Sequence, residues 1–221
     1  MKEYKKFQNT QKIFGEESRS EKFDDYMQGF SKSCAIQAQK IILEKYGIFY
    51  SEEMLIEKAE TLNMYDPESG VKAEFIGALL EEENIPINHY HDANIFNITN
   101  ELSQGHQIIV GVNSSNLNNI PIEQESADHA IIVSGIDTSD PNNIIVNITD
   151  PATGEVAKAY PLNDFIDAWK DSNYFMVSTT APPSPHLNLP EMQNFEYDDD
   201  ERGHIKMIGE LSYEDFQELY G

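Results

Sequence analysis

An α+β fold is predicted for this chain, with helices filling the first half and an antiparallel sheet the second. Three observations predict it. Apolar residues recur at helical spacing over 34–46 and again over 72–83. From Gln107 onward the period switches to two, giving strands over 107–112, 129–136 and 144–149. Between the last two of these, residues 137–143 carry Asp-Pro and Asn-Asn pairs, turn chemistry that joins the strands as an antiparallel hairpin.

Residues 1–23 are polar and charged with scattered Phe7, Ile13, Phe14 and Phe23, the pattern of an arm that docks loosely or frays, and no function is expected there. Ser33 is placed to cap a helix from Cys34 to Tyr46, which Gly47 ends. Gln37, Lys40 and Glu44 give that helix a narrow polar stripe and its other faces are apolar, so it reads as a buried central helix with Cys34 in its first turn. A second helix follows Ser51, with Glu52 and Glu53 complementing its positive end. The third, over 72–83, contains Phe75, Ile76, Leu79 and Leu80, and a short helix over 97–103 closes at Gly105. After the hairpin come a strand over 156–160, a helix over 162–170 and a final strand over 174–179.

At Ala181-Pro182-Pro183-Ser184-Pro185 the domain ends, with a boundary near 182. Residues 196–201 form an acidic, solvated run. Helical character returns over 212–220, where Ser212 and Asp215 approximate a capping box before Phe216, Leu219 and Tyr220, apolar residues suited to docking. The organisation is thus an arm (1–23), one domain (24–182) and an acidic extension (183–221).

The 221 residues suffice for one substantial domain with extensions, and 39% hydrophobic content marks a globular chain. Its 15 Lys and Arg against 39 Asp and Glu give a formal charge of −24, which repels phosphate backbones and anionic lipid. Nucleic-acid and membrane partners are excluded on that ground, and the acidic surface reads as a solubility device. The opening MKEYKKFQNTQK is not followed by the apolar stretch of a secretion signal, and no apolar run approaches the ~20 residues of a membrane span, so a soluble, cytoplasmic protein is expected. One cysteine permits neither an intrachain disulfide nor a Cys-rich zinc site.

A cysteine becomes nucleophilic when its thiolate is stabilised, and the first turn of a helix does this through exposed N–H groups and the positive dipole end. Cys34 sits there. His129 opens an apolar strand, where a rigid backbone can hold an imidazole as general base. Asp150 follows the next strand of the hairpin, so it is placed to orient that imidazole. Gln28, six residues before Cys34, can offer a side-chain amide to a developing oxyanion beside the Cys34 N–H. Taken singly, each residue also has an ordinary structural reading.

Together they resemble a known family, the papain-like cysteine peptidases of the C39 type. The likeness rests on QGFSKSC, DHAIIVSGID and NITDPATG, followed by YPLNDFIDAW and NYFMVST, and covers about residues 24–182. It implies a papain-like fold, in which the central Cys-bearing helix packs on the sheet, and cysteine peptidase activity on peptide or protein substrates. It also implies the roles of Gln28 as oxyanion-hole residue, Cys34 as nucleophile, His129 as base and Asp150 as orienting acid, with no cofactor. The chain departs from the bacteriocin-exporting members, which carry Asp-Cys-Gly at the nucleophile where this one has Ser33-Cys34-Ala35, and no nucleotide-binding loop or membrane segment is visible. The likeness is therefore to free-standing members. A non-catalytic peptide-binding module on the same fold and a Cys-dependent acyltransferase or deamidase stand as alternatives.

Other candidates read as structural. His89, His91 and Asp92 lack a further ligand cluster for a metal. In the run 198–203, Arg202 breaks a calcium-loop pattern. Phe165 and Trp169, four apart on a helix, read as core packing.

Overall fold

Helix α1 (Cys34–Lys45) carries the cysteine at its first position and lines the molecule's centre. The computed structural model describes residues 12–19, 21–118 and 126–184. Ala35, Ile36, Ala38, Ile41, Ile42 and Leu43 of α1 are buried, as the narrow polar stripe requires. The stripe itself is narrower than expected. Lys40 and Glu44 pair at 2.6 Å, but Gln37 is buried and its Nε2 donates to the Asp25 carbonyl at 2.7 Å. Gln39, also buried, accepts from the Leu79 N–H at 3.0 Å and so ties α1 to a neighbouring helix.

Helix α2 (Glu52–Thr61) starts at Ser51, whose hydroxyl accepts from the Met54 N–H at 3.2 Å. A small hairpin of β3 (Tyr65–Asp66) and β4 (Gly70–Val71) follows. The helix expected over 72–83 is broken into a 3-10 turn at Ala73–Phe75 and a short α3 (Ala78–Glu82). Gly77 between them adopts φ 97°, and a Cβ there would stand 2.5 Å from Ile87 Cδ1. The chain has to turn where it presses on the sheet, and only glycine permits that turn. Strand β5 (Ile87–Tyr90) and helix α4 (Ile95–Ser103) come next. Asn94 caps α4 in a reciprocal box with Asn97, so the helix starts at Ile95, two residues ahead of the start read from the sequence.

The second half is β6 (Ile108–Val112), a short α5 (Ser114–Leu117), β7 (His129–Asp137), β8 (Ile145–Asp150), β9 (Glu155–Pro161), α6 (Leu162–Trp169) and β10 (Met176–Thr179). The antiparallel sheet runs β2-β9-β8-β7-β6-β10-β5, where β2 is Glu21–Lys22, and β1 (Ile13–Gly15) pairs with β7. Both faces are covered. Ala130, Ile132, Ile109 and Val177 face α1, α2 and α3, whereas Ile131, Val133, Ile108 and Val110 face α4 and α6. That is why β6 and most of β7 are buried without interruption instead of alternating with period two. Among the described residues, no helix is long and apolar enough to cross a membrane.

One expectation changes. The described part of the N-terminal arm is not loose: Ile13 to Gly15 pair with Asp137 to Gly135, and Glu21 and Lys22 pair with Val156 and Glu155. The described residues end at Ser184, so the acidic run over 196–201 and the helix expected over 212–220 lie outside them.

The seat of β1 gives a stability prediction. A Cβ at Gly135 would stand 2.1 Å from the Glu16 carbonyl oxygen, so Gly135→Ala has to push the chain after β1 off β7. A loss of about 2 kcal/mol or more is expected, read as a lower urea midpoint at unchanged slope. An unchanged midpoint would show that β1 does not hold this position.

Candidate functional site

Three elements converge on one point. The start of α1 supplies Cys34, the start of β7 supplies His129, and the end of β8 supplies Asp150. Antiparallel pairing of β7 with β8, in which Ile132 faces Thr149, brings the last two together at the open end of the hairpin, away from its turn. His129 Nε2 donates to Asp150 Oδ1 at 2.6 Å, and both side chains are almost wholly buried. With Nε2 committed to Asp150, Nδ1 is left for the side-chain hydrogen bond between His129 and Cys34. The sulfur also accepts the Ala130 backbone N–H at 3.4 Å, a contact that locks α1 to the strand carrying the imidazole.

Opposing effects set the charges. Burial pushes the half-buried Cys34 thiol up, but the hydrogen bond and charge of His129, with the N–H groups of Ala130 and Ala35, more than offset it and hold the thiol below its ordinary value. Burial pulls His129 down, yet the hydrogen bonds to Asp150 and Cys34 and their charges raise it to about 10. Asp150 is raised by burial and lowered further by His129 and by the Ala152 N–H, which donates to Oδ1 at 2.8 Å, so it stays below the ordinary carboxylate range. Each partner's shift thus favours the charged pair, a thiolate beside an imidazolium, with a carboxylate behind it.

Gln28 is held next to this group through its backbone. Its N–H donates to the carbonyl of Pro151, the residue after Asp150, at 2.7 Å. Its side-chain Nε2 donates one hydrogen to the Phe30 carbonyl at 3.0 Å, which fixes the amide's orientation, since only the nitrogen end can face a carbonyl. An amide nitrogen carries two hydrogens, so one stays available for an oxyanion. Gln28 Oε1 is buried with no hydrogen-bond partner among the described residues. The Cys34 backbone N–H, at the first position of α1, likewise has no helix carbonyl four residues back to bond.

Ser33 does not cap α1 as the sequence suggested. It makes no side-chain cap hydrogen bond, and its hydroxyl instead lies 2.7 Å from the Phe30 carbonyl and 2.6 Å from Glu52 Oε1. Sequence reasoning took Glu52 only as a first-turn acid of α2, and no sequence pattern announces its burial. The other readings stay structural. His89 and His91 lie against the Phe175 ring at 6.0 and 5.9 Å, and no group of three His, Cys, Asp or Glu among the described residues is arranged to hold a metal. Phe165 and Trp169 are fully buried, stacked at 5.3 Å, with Trp169 Nε1 donating to the Phe175 carbonyl at 2.8 Å.

A Bacillus anthracis protein designated a C39-like peptidase superposes with a TM-score of 0.56 at 14% identity, covering 73% of this chain and 95% of that one, a likeness of fold. A double glycine motif protease from an AMS/PCAT transporter, solved with its leader peptide, is 14% identical with a TM-score of 0.47, covering 77% of this chain and 100% of that one. Uncharacterized proteins of Mycobacterium bovis and Mycobacterium tuberculosis are 34% identical over 86 residues, 36% of this chain. The match spans only 36% of those relatives' length. Residues 7–176 match the Peptidase_C39 like family, and with most of its length inside that match the chain belongs to this family.

Proposed function

We propose that the protein is a cysteine peptidase that cleaves peptide bonds through a thioester on Cys34. The observation that carries this reading is the imidazole of His129 held between Asp150 and Cys34, with the thiol depressed and the imidazole raised to about 10. The Cys34 thiolate attacks the carbonyl carbon of a bound peptide, and the oxygen gains the negative charge. Gln28 Nε2 and the Cys34 backbone N–H face that charge. The carbon–nitrogen bond breaks as the His129 imidazolium gives its proton to the departing amine. Neutral His129 then takes a proton from water, whose oxygen attacks the thioester, and the acid product leaves with Cys34 restored.

Incubating the protein with a library of short peptides and reading its intact mass tests this scheme. An adduct of acyl mass on wild type, absent from Cys34→Ala, is the expected result. Peptide cleavage that persists in Cys34→Ala would refute it.

Gln28→Ala is expected to lower kcat by about 10²-fold with KM nearly unchanged, because the donor acts on charge that exists only in the transition state. Steady-state kinetics on one cleaved peptide check it. A rise in KM alone would make Gln28 a substrate-binding residue instead.

A further inference from the structure

The segment between the two candidate oxyanion donors is short, and its conformation sets how far apart they stand. Gln28 and Cys34 bracket residues 29–33, in which Lys32 adopts φ 64°, a left-handed conformation that a lysine holds only under constraint. Glu52 supplies much of that constraint from α2. Its side chain reaches in from the first position of the helix and is buried, with the residue 8% exposed. Oε2 accepts the Gly29 N–H at 2.7 Å, and Oε1 lies 2.6 Å from the Ser33 hydroxyl. One carboxyl group therefore grips the residue after Gln28 and the residue before Cys34.

The grip extends to the Gln28 amide. Ser33 Oγ lies 2.7 Å from the Phe30 carbonyl, the same oxygen that receives Gln28 Nε2 at 3.0 Å. Gly29, Glu52, Ser33, Phe30 and Gln28 thus form one continuous set of hydrogen bonds. From the opposite side, the Tyr65 hydroxyl donates to the Ser31 carbonyl at 3.1 Å. Two other acids near these elements have salt-bridge partners: Glu44 pairs with Lys40, and Glu83 with Lys58. Among the described residues, Glu52 has no basic partner, and its two carboxylate oxygens are held by the 29–33 segment.

We infer that Glu52 is a positioning residue, which sets the Gln28 amide and the Cys34 N–H at the spacing that receives an oxyanion. This inference rests on the cysteine peptidase reading. Glu52 touches no reacting atom and acts through Gln28 and the backbone of 29–33. Displacing an oxyanion donor by about 1 Å costs rate on the order of 10²-fold while leaving ground-state binding nearly intact.

Hydrogen counting supplies a conservative control. A hydroxyl carries one proton, so Ser33 can donate to only one of its two neighbouring oxygens. An amide at position 52 satisfies the whole set: its oxygen accepts from Gly29, its NH₂ donates to Ser33, and Ser33 donates to Phe30. Glu52→Gln therefore retains the grip, and Glu52→Ala abolishes it.

The experiment compares wild type, E52A, E52Q, Q28A, E52A/Q28A and C34A on the best-cleaved member of a library of internally quenched peptides, with iodoacetamide alkylation of Cys34 measured in parallel. Alkylation develops no oxyanion, so it reports thiolate activation alone. Expected results are a kcat loss of about 10²-fold in E52A at nearly constant KM, alkylation within about 2-fold of wild type, and rescue to within about 3-fold in E52Q. Adding Q28A to E52A should cost less than about 3-fold more, since both act on one donor. Full activity in E52A overturns the inference. So does a loss that E52Q shares, or one that alkylation follows in proportion, because either assigns Glu52 to the fold at large. If C34A also cleaves the peptide, the peptidase reading fails first, an outcome distinct from E52A being active while C34A is dead.

Discussion

Replacing Cys34 with alanine is expected to abolish peptide cleavage, a loss on the order of 10⁴-fold or more, with the fold intact. The side chain is half-buried at the edge of a core that α1 dominates, and alanine removes one sulfur without opening a large cavity. His129→Ala is expected to lose a comparable amount for two reasons. It removes both the partner that holds the thiol down and the acid that protonates the leaving amine. The double variant should be no slower than either single one, because the residues act as one unit. Progress curves with circular dichroism on the same samples check this. Near-normal cleavage by either single variant would remove the assignment.

Asp150→Asn has the next largest expected effect, a fall in kcat/KM of about 10²- to 10⁴-fold, and its diagnostic signature is in the pH profile. His129 is raised to about 10 against the downward pull of burial; the hydrogen bond to Asp150 comes first among the causes that raise it, and the Asp150 charge adds to it. The imidazolium is present below that value and is lost as pH rises through it. Removing the carboxylate charge lowers His129, so the alkaline limb of activity moves to lower pH. The thiolate loses part of its counter-charge as well, so the acid limb, set by Cys34, moves to higher pH. The active range should therefore narrow from both sides. A D150N profile that superimposes on wild type after scaling would exclude Asp150 as the partner of His129.

Some of this was legible in the sequence for identifiable reasons. A seven-residue turn region rich in Asp, Asn and Pro implies a hairpin, and a hairpin places the start of one strand beside the end of the next. His129 and Asp150, 2.6 Å apart, follow from that topology. Cys34 was legible because an apolar helix with a narrow wet stripe has to be central, and the cysteine opens it. Gln28 rested on the family resemblance as much as on its distance from Cys34.

What escaped the sequence depends on tertiary contact. Ile13 and Phe14 are both half-buried, with no alternation to mark a strand, and β1 exists because Gly135 leaves room for the chain beside β7. The helix break at Gly77 is imposed by Ile87 and Val177, which lie on strands later in the chain. Ser33 looked like a helix cap because serine before an apolar helix usually is one. A carboxyl group from α2, 19 residues further on, draws its hydroxyl away instead. Local propensity gave way at this loop, where the candidate site needs a particular backbone.

The most direct test of the central claim is the rate of Cys34 alkylation by iodoacetamide as a function of pH, followed by intact mass. The chain has one cysteine, so the mass shift reports that thiol alone. A thiolate paired with His129 should react at a rate that is already level at neutral pH, well below the ordinary thiol value of about 8.5. His129→Ala should return the curve to a rise centred near or above that value. A wild-type rate that climbs about tenfold per pH unit up to about 8.5, and that His129→Ala leaves unchanged, would contradict the account.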